Sequence, residues 1–237
     1  MFKIEHLYKK YKGEKKYAVE DLSLNLDNGQ IFGFLGANGA GKSTTIKCIT
    51  GILSFKEGNI ELNGCDLKKD PQKFKSMIGY VSDDNSIYEN LTGFEFVSFV
   101  GKLYNVPIKE LEERIALYSK RFKMDKVLDC QLKTYSYGLK QKINIIAALV
   151  HEPDLWILDE PLLGLDPISI QEIKDCMIEW KEKGKIVFFS SHIIDLVEKI
   201  CDVVGIIEKG KLDEIIKLNE FDKGESLEKY FLQKLTD

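Results

Sequence analysis

Residues 36–44 read GANGAGKST and fit the spacing GxxxxGK[ST]. Gly36, Gly39 and Gly41 let the backbone turn so that successive N–H groups converge on phosphate oxygens. The apolar IFGFL ahead of the stretch reads as a strand, and KSTTIKCITG behind it reads as a helix. The first N–H groups of that helix, at its positive dipole end, add to the cradle. Lys42 can reach the β- and γ-phosphates as a point charge, and the Ser43 hydroxyl can ligate Mg²⁺. Asn38 and Thr44 belong to the same stretch and are assigned to nucleotide binding with it. An isolated glycine-rich turn followed by Lys-Ser would mean little; the strand and helix around this one favour phosphate.

A second stretch, LWILDEP, ends a strand-like apolar run in two acids, Asp159 and Glu160. Adjacent acids at a buried strand end repel each other and lose hydration, so they make a poor structural device. A division of labour accounts for the pair. Asp159 would hold Mg²⁺ through water and Glu160 would orient and polarise an attacking water. The alternative is a solvated strand-end turn closed by Pro161. IVFFSSH repeats the design and delivers His192, one of three histidines, to the end of another buried strand. It could donate a hydrogen bond to the γ-phosphate or the attacking water.

The elements that must position these residues follow from periodicity. Leu22, Leu24 and Leu26 alternate with polar residues, and Asn63-Gly64 predicts a primed hairpin turn. From about residue 86 to 150 the spacing becomes helical, with Phe94, Val97, Val100, Leu103 and Tyr104 on one face and a break at Pro107. After 150, LWIL and IVFF are apolar on both faces, as central parallel strands are, with helices predicted around 168–182 and 193–200. The chain reads as one α/β domain with a helical insertion, and shows no internal repeat, low-complexity tract or linker.

Composition bounds the reading. A chain of 237 residues with 44% hydrophobic content can bury one large core. A net charge of −4 argues against a sequence-independent nucleic-acid surface. The five cysteines, Cys48, Cys65, Cys130, Cys176 and Cys201, are scattered without CxxC spacing and predict reduced thiols in a cytosolic protein. MFKIEHLYKK has no apolar signal region, and no run approaches the roughly 20 apolar residues of a membrane span.

Taken in order, these stretches resemble the ATP-binding cassette (ABC) family over nearly the whole chain. Its P-loop resembles Gly36–Thr44, its signature loop Tyr135-Ser136-Tyr137-Gly138-Leu139, its Walker B with catalytic glutamate Leu155–Glu160, its D-loop Gly164-Leu165-Asp166, and its switch histidine His192. The resemblance implies a P-loop NTPase fold: a RecA-like, mainly parallel sheet, an N-terminal antiparallel β-subdomain and a helical insertion subdomain. The corresponding stretches are 1–85 (β-subdomain strands and P-loop), 86–150 (helical subdomain with the signature loop) and 151–237 (core with Walker B, D-loop and switch histidine). It implies ATP and Mg²⁺ as cofactors, with Ser136, Gly138 and Asp166 serving nucleotide held between two cassettes arranged head to tail. Tyr11 matches the aromatic that stacks on adenine, with Tyr8 as competitor. Asp83 falls where the family has a Q-loop glutamine and could ligate Mg²⁺ directly or through water, with Asp84 next to it. Tyr137 replaces a glycine.

The implied function is the ATPase subunit of a transporter, seated at the cytoplasmic face of the membrane beneath a permease on a separate chain. It resembles the type-two exporter branch, which points to drugs, amphipathic peptides or peptide antibiotics. Part of Phe94–Tyr104 would line a groove for a cytoplasmic helix of the permease; core of the helical subdomain is the alternative. Homodimer and heterodimer stay open, and no nucleic-acid partner is expected. The rivals are a cassette acting on nucleic acid or the ribosome, and a nucleotide-switched binding module. Glu160 and His192 speak against the second, since a pure switch needs neither.

Overall fold

A computed structural model describes residues 1–84, 88–162, 164–221 and 226–236. The elements begin with β1 (Phe2–Lys9), β2 (Val19–Leu26), β3 (Ile31–Leu35), α1 (Lys42–Ile49), β4 (Glu57–Leu62), β5 (Cys65–Asp66), α2 (Pro71–Ser76) and β6 (Ile78–Val81). A helical stretch follows: α3 (Gly93–Leu103), α4 (Ile108–Arg121) and α5 (Tyr137–Leu149). The chain closes with β7 (Leu155–Asp159), α6 (Pro167–Glu182), β8 (Ile186–Ser191), α7 (Ile194–Ile200), β9 (Val203–Glu208), β10 (Lys211–Lys217) and α8 (Leu227–Thr236).

Two sheets form. The first is antiparallel, in the order β2-β1-β4-β5, and the second runs β10-β9-β3-β8-β7-β6. Strands β9, β3, β8, β7 and β6 are mutually parallel, and β10 pairs antiparallel on the edge. The stretch 1–85 therefore feeds both sheets: β3 and β6 belong to the parallel one, whereas β1, β2, β4 and β5 make the antiparallel one. The boundary assigned between residues 85 and 86 lies outside the described residues.

Local chemistry explains the pieces. Leu22, Leu24 and Leu26 of β2 are buried as their alternation predicts. Asn63 and Gly64, at φ 49° and 79°, make the left-handed turn between β4 and β5. Thr92 and Glu95 cap α3 reciprocally, each side chain accepting the other's backbone N–H. Asp70 caps α2 by accepting from Lys73 N, and α4 starts straight after Pro107. The structure adds the β9–β10 hairpin, turned by Lys209 and Gly210 at φ 48° and 86°.

Every residue of β3, β7 and β8 is buried, because the sheet is covered on both faces. Ile31, Leu35, Trp156, Leu158, Val187 and Phe189 face the cluster that includes the helical stretch. Phe32, Phe34, Leu155, Ile157 and Phe188 face the cluster shared with α1 and the antiparallel sheet. Phe188 packs 4.9 Å from Phe32 and 5.5 Å from Phe34, centroid to centroid. Truncating it to alanine would cost about 3–5 kcal/mol. In the parallel ladder Leu35 pairs with Ser191, Asp159 with Ser190 and Val81 with Leu158. The carboxyl ends of β3, β6, β7 and β8 thus share one edge, where open α/β sheets bind ligands.

Candidate nucleotide site

The loop between β3 and α1 opens into a cleft of about 1050 Å³ lined by Ala37, Asn38, Gly39, Gly41, Lys42, Ser43 and Thr44, together with Asp83 and Glu160. Gly41 is the N-cap of α1 at φ 113°, and no side chain caps the helix. A Cβ there would stand 2.5 Å from the Ala18 carbonyl oxygen, so only glycine brings the loop this close to the backbone just ahead of β2. The Gly210 N–H donates to Ala40 O at 2.8 Å, tying the loop to the β9–β10 hairpin. Lys42 is 6% exposed, and its Nζ donates to Gly36 O at 2.6 Å and Ala37 O at 3.3 Å. It also stands 3.9 Å from Glu160 Oε1.

Ser190, at the end of β8, organises both acids. Its hydroxyl donates to Asp159 Oδ1 at 2.6 Å and accepts the Glu160 N–H at 3.0 Å. Burial pushes the Asp159 carboxyl above its ordinary range; the Ser190 and Ser43 hydroxyls and Lys42 oppose that rise, and Asp83 adds to it. Asp159 Oδ2 is buried with no hydrogen-bond partner. Glu160 has φ 50° ahead of Pro161, a conformation the surrounding structure must hold. His192 Nδ1 lies 2.9 Å from Glu160 Oε2. An ionised carboxylate only accepts, so Nδ1 carries the proton in that contact.

The arrangement fits Mg²⁺. A buried carboxylate oxygen without a partner, a serine hydroxyl beside it and a further acid, Asp83, on the cleft wall are hard oxygen donors. Among the described residues no group of three or more His, Cys, Asp or Glu could hold a metal ion. Mg²⁺ is commonly held by one or two carboxylates plus substrate phosphates.

Several sequence assignments separate here. Asp83 lines the cleft and accepts from the Ser82 hydroxyl at 3.1 Å; Asp84 is not on the lining. Tyr11 does not line the cleft either: its hydroxyl lies 3.2 Å from Thr44 Oγ1, and its ring borders a neighbouring depression of about 460 Å³. Tyr17 lines both hollows, with Lys15 and Lys16 on the larger. Tyr8 meets Tyr17 edge-on at 5.6 Å. The run KKYKGEKKY was the available signal for this rim. Ser136, Gly138 and Asp166 are absent from the cleft lining. Ser136 caps α5 by accepting Leu139 N–H at 3.4 Å. Asp166 caps α6, accepting from Ile168 N at 3.1 Å and Ser169 N at 3.0 Å and from the Ser169 hydroxyl. Those bonds, the hydroxyl first, hold its carboxyl down at about 2.

A phosphate cradle between β3 and α1, with an acid pair at the end of β7 one strand beyond β8, defines a P-loop nucleoside triphosphatase. Residues 19–163 match the ABC transporter family. The linearmycin resistance ATP-binding protein LnrL of Bacillus subtilis is 38% identical over 212 residues, 90% of this chain and 68% of that protein. The bacitracin transport ATP-binding protein BcrA of Enterococcus faecalis is 35% identical over 224 residues, 92% of this chain and 70% of that one. A solved ATP-binding subunit of an ABC transporter superposes with TM-score 0.94 at 31% identity over the full length of both chains. The chain belongs to the ABC transporter family, as an ATP-binding subunit that hydrolyses ATP.

Proposed function

We propose that two such cassettes, two copies of this chain or one copy and a close relative, sandwich ATP head to tail and drive a separate membrane permease. The observation that carries the reading is the placement of Ser136 and Gly138. They sit at the start of a helix, off the lining of their own cleft, and Tyr137 between them is 48% exposed. A hydroxyl, a glycine and a helix N-terminus suit an anion brought by a partner.

Within each site, Lys42 and the loop N–H groups would hold the phosphates, and Ser43, Asp159 and Asp83 would hold Mg²⁺. The ion, when bound, neutralises charge developing on the phosphate oxygens. Glu160 would hold and polarise the attacking water. His192 Nδ1–H bonds Glu160, so a neutral His192 offers Nε2 as an acceptor for that water, and only the imidazolium donates to phosphate.

Among the described residues no helix is long and apolar enough to cross a membrane. The cassette would sit at the cytoplasmic face through its permease. Phe94, Phe99 and Leu103 of α3 and the nearby Tyr88 are exposed, with Tyr88 edge-on to Phe99 at 5.8 Å, while Phe96 and Val97 are core. That surface suits an apolar cytoplasmic helix of the permease. The names of the linearmycin and bacitracin relatives support export of a drug, amphipathic peptide or peptide antibiotic.

The test is Glu160→Gln. Turnover should fall about hundredfold or more while ATP binding persists. Light scattering should show dimers accumulating with ATP; a variant that stays monomeric with ATP would contradict the sandwich.

A further inference from the structure

Among the described residues, the first two turns of α5 meet the loop that follows Glu160, in the same chain, at three points. The Tyr137 ring lies over Gly164: a Cβ added to Gly164, whose φ is 70°, would stand 2.8 Å from Tyr137 Cδ1 and 2.9 Å from Cε1. Gln141, 2% exposed, donates from Nε2 to the Pro161 carbonyl at 3.1 Å, one residue past Glu160. Lys142 Nζ stands 4.0 Å from Asp166 Oδ2. The Gln141 Oε1 is buried without a partner. A buried amide with an unmet acceptor is costly, and among the described residues the bond that offsets this cost is the one to the loop.

Glu160 is consequently held from two sides. Ser190 fixes its own N–H, and Gln141 fixes the next carbonyl. Residues 136 to 141 span little more than one turn of a rigid helix, so a displacement of Ser136 carries to Gln141 and Tyr137. We infer that Tyr137 and Gln141 are positioning residues that tie nucleotide capture at the start of α5 to the placement of Glu160 in the same copy. The inference rests on the two-cassette reading. Each copy would then sense, through the tip of its own α5, whether its partner's nucleotide is in place, and set its own Glu160 accordingly. Tyr137, standing where the ABC resemblance has glycine, supplies an aromatic contact that a glycine lacks. Misplacing a reacting group by about 1 Å costs on the order of hundredfold in rate.

The experiment uses the full chain and measures ATP turnover against both ATP and protein concentration. Tyr137→Gly and Gln141→Leu should lower kcat by about 10- to 100-fold and abolish cooperativity in ATP. Tyr137→Phe, which keeps the ring, should stay within about twofold of the parent. Each change is also placed in the Glu160→Gln background, where ATP-driven dimerisation is scored without chemistry. The ATP concentration for half-maximal dimerisation should move less than about threefold, a split between capture and chemistry that a folding defect would not give. Unchanged kcat and cooperativity in Tyr137→Gly, or parallel loss of dimerisation and turnover, overturns the inference. If the parent turns over at full rate as a monomer, the two-cassette reading falls and takes the inference with it. If parental turnover needs dimers and Tyr137→Gly is silent, the inference alone falls.

Discussion

Helices α1 and α5 both begin where an anion can sit, and they begin differently. At α1 the cap is Gly41, no side chain satisfies the first N–H groups, and the surroundings are deep: Lys42 is nearly buried and Asp159 fully so. At α5 the cap is Ser136, its bond to Leu139 N–H is long at 3.4 Å, and the neighbouring Tyr137 is half exposed. A third helix, α6, shows the closed case, with Asp166 filling the start through three bonds. Four backbone donors are left over at any helix start, and what supplies their partners decides the role of that start. At α6 the chain supplies them itself. At α1 the rest of the pocket is already built, so a phosphate completes it. At α5 no such pocket surrounds the start among the described residues, and in the proposed sandwich the remaining wall comes from a second cassette.

That contrast can be broken most severely at α5. Ser136→Arg should abolish turnover, a loss of more than about hundredfold, while ATP affinity measured on monomers by fluorescent-nucleotide titration stays nearly unchanged. Equal loss of both would mean that α5 serves its own cleft. At α1, Lys42→Ala should weaken ATP binding itself by about 10- to 100-fold, the worth of a hydrogen bond to a charged group. The same titration reads it, and unchanged affinity would remove Lys42 from the cradle.

A smaller effect tests how the far end of α5 is anchored. His151, just past Leu149, stacks on Tyr104 with centroids 3.7 Å apart and bonds Ile78 O through Nε2 at 2.9 Å. Burial, helped by Arg114 and opposed by the Ile78 bond, pushes its pKa down to about 4 from 6.5. Between those values the unfolded chain binds the proton that the folded chain refuses. Stability is therefore intact above pH 6.5 and lost as pH falls through the window towards 4, by about 2 kcal/mol at pH 5 from this group. Thermal melts at pH 7 and pH 5 should show it, and His151→Gln should flatten the difference. Smallest of all, Ser136→Ala should cost no more than about 1 kcal/mol of stability, the worth of a cap, measured by urea unfolding. A much larger loss would make Ser136 chiefly structural.

The phosphate cradle was legible because its chemistry is contiguous. Nine residues, a strand ahead and a helix behind specify the turn, so spacing alone carries the geometry. The alternation in β2, the Asn63-Gly64 turn and the apolar runs LWIL of β7 and IVFF of β8 were legible for the same reason, since each is a local pattern with a local cause. Where Tyr17 faces, why Asp83 and not Asp84 reaches the cleft, and how Ser190 bonds the Glu160 N–H while Gln141 bonds the Pro161 carbonyl all depend on residues far apart in the chain. Their partners are chosen by strand order, with β3 inserted between β8 and β9, and by side-chain packing across sheets. Periodicity says which face of an element is apolar, but not which other element will cover it. The amino-acid order determined the local chemistry of the cradle, and the tertiary structure alone decided what meets the loop behind Glu160, because only packing brings α5 against it.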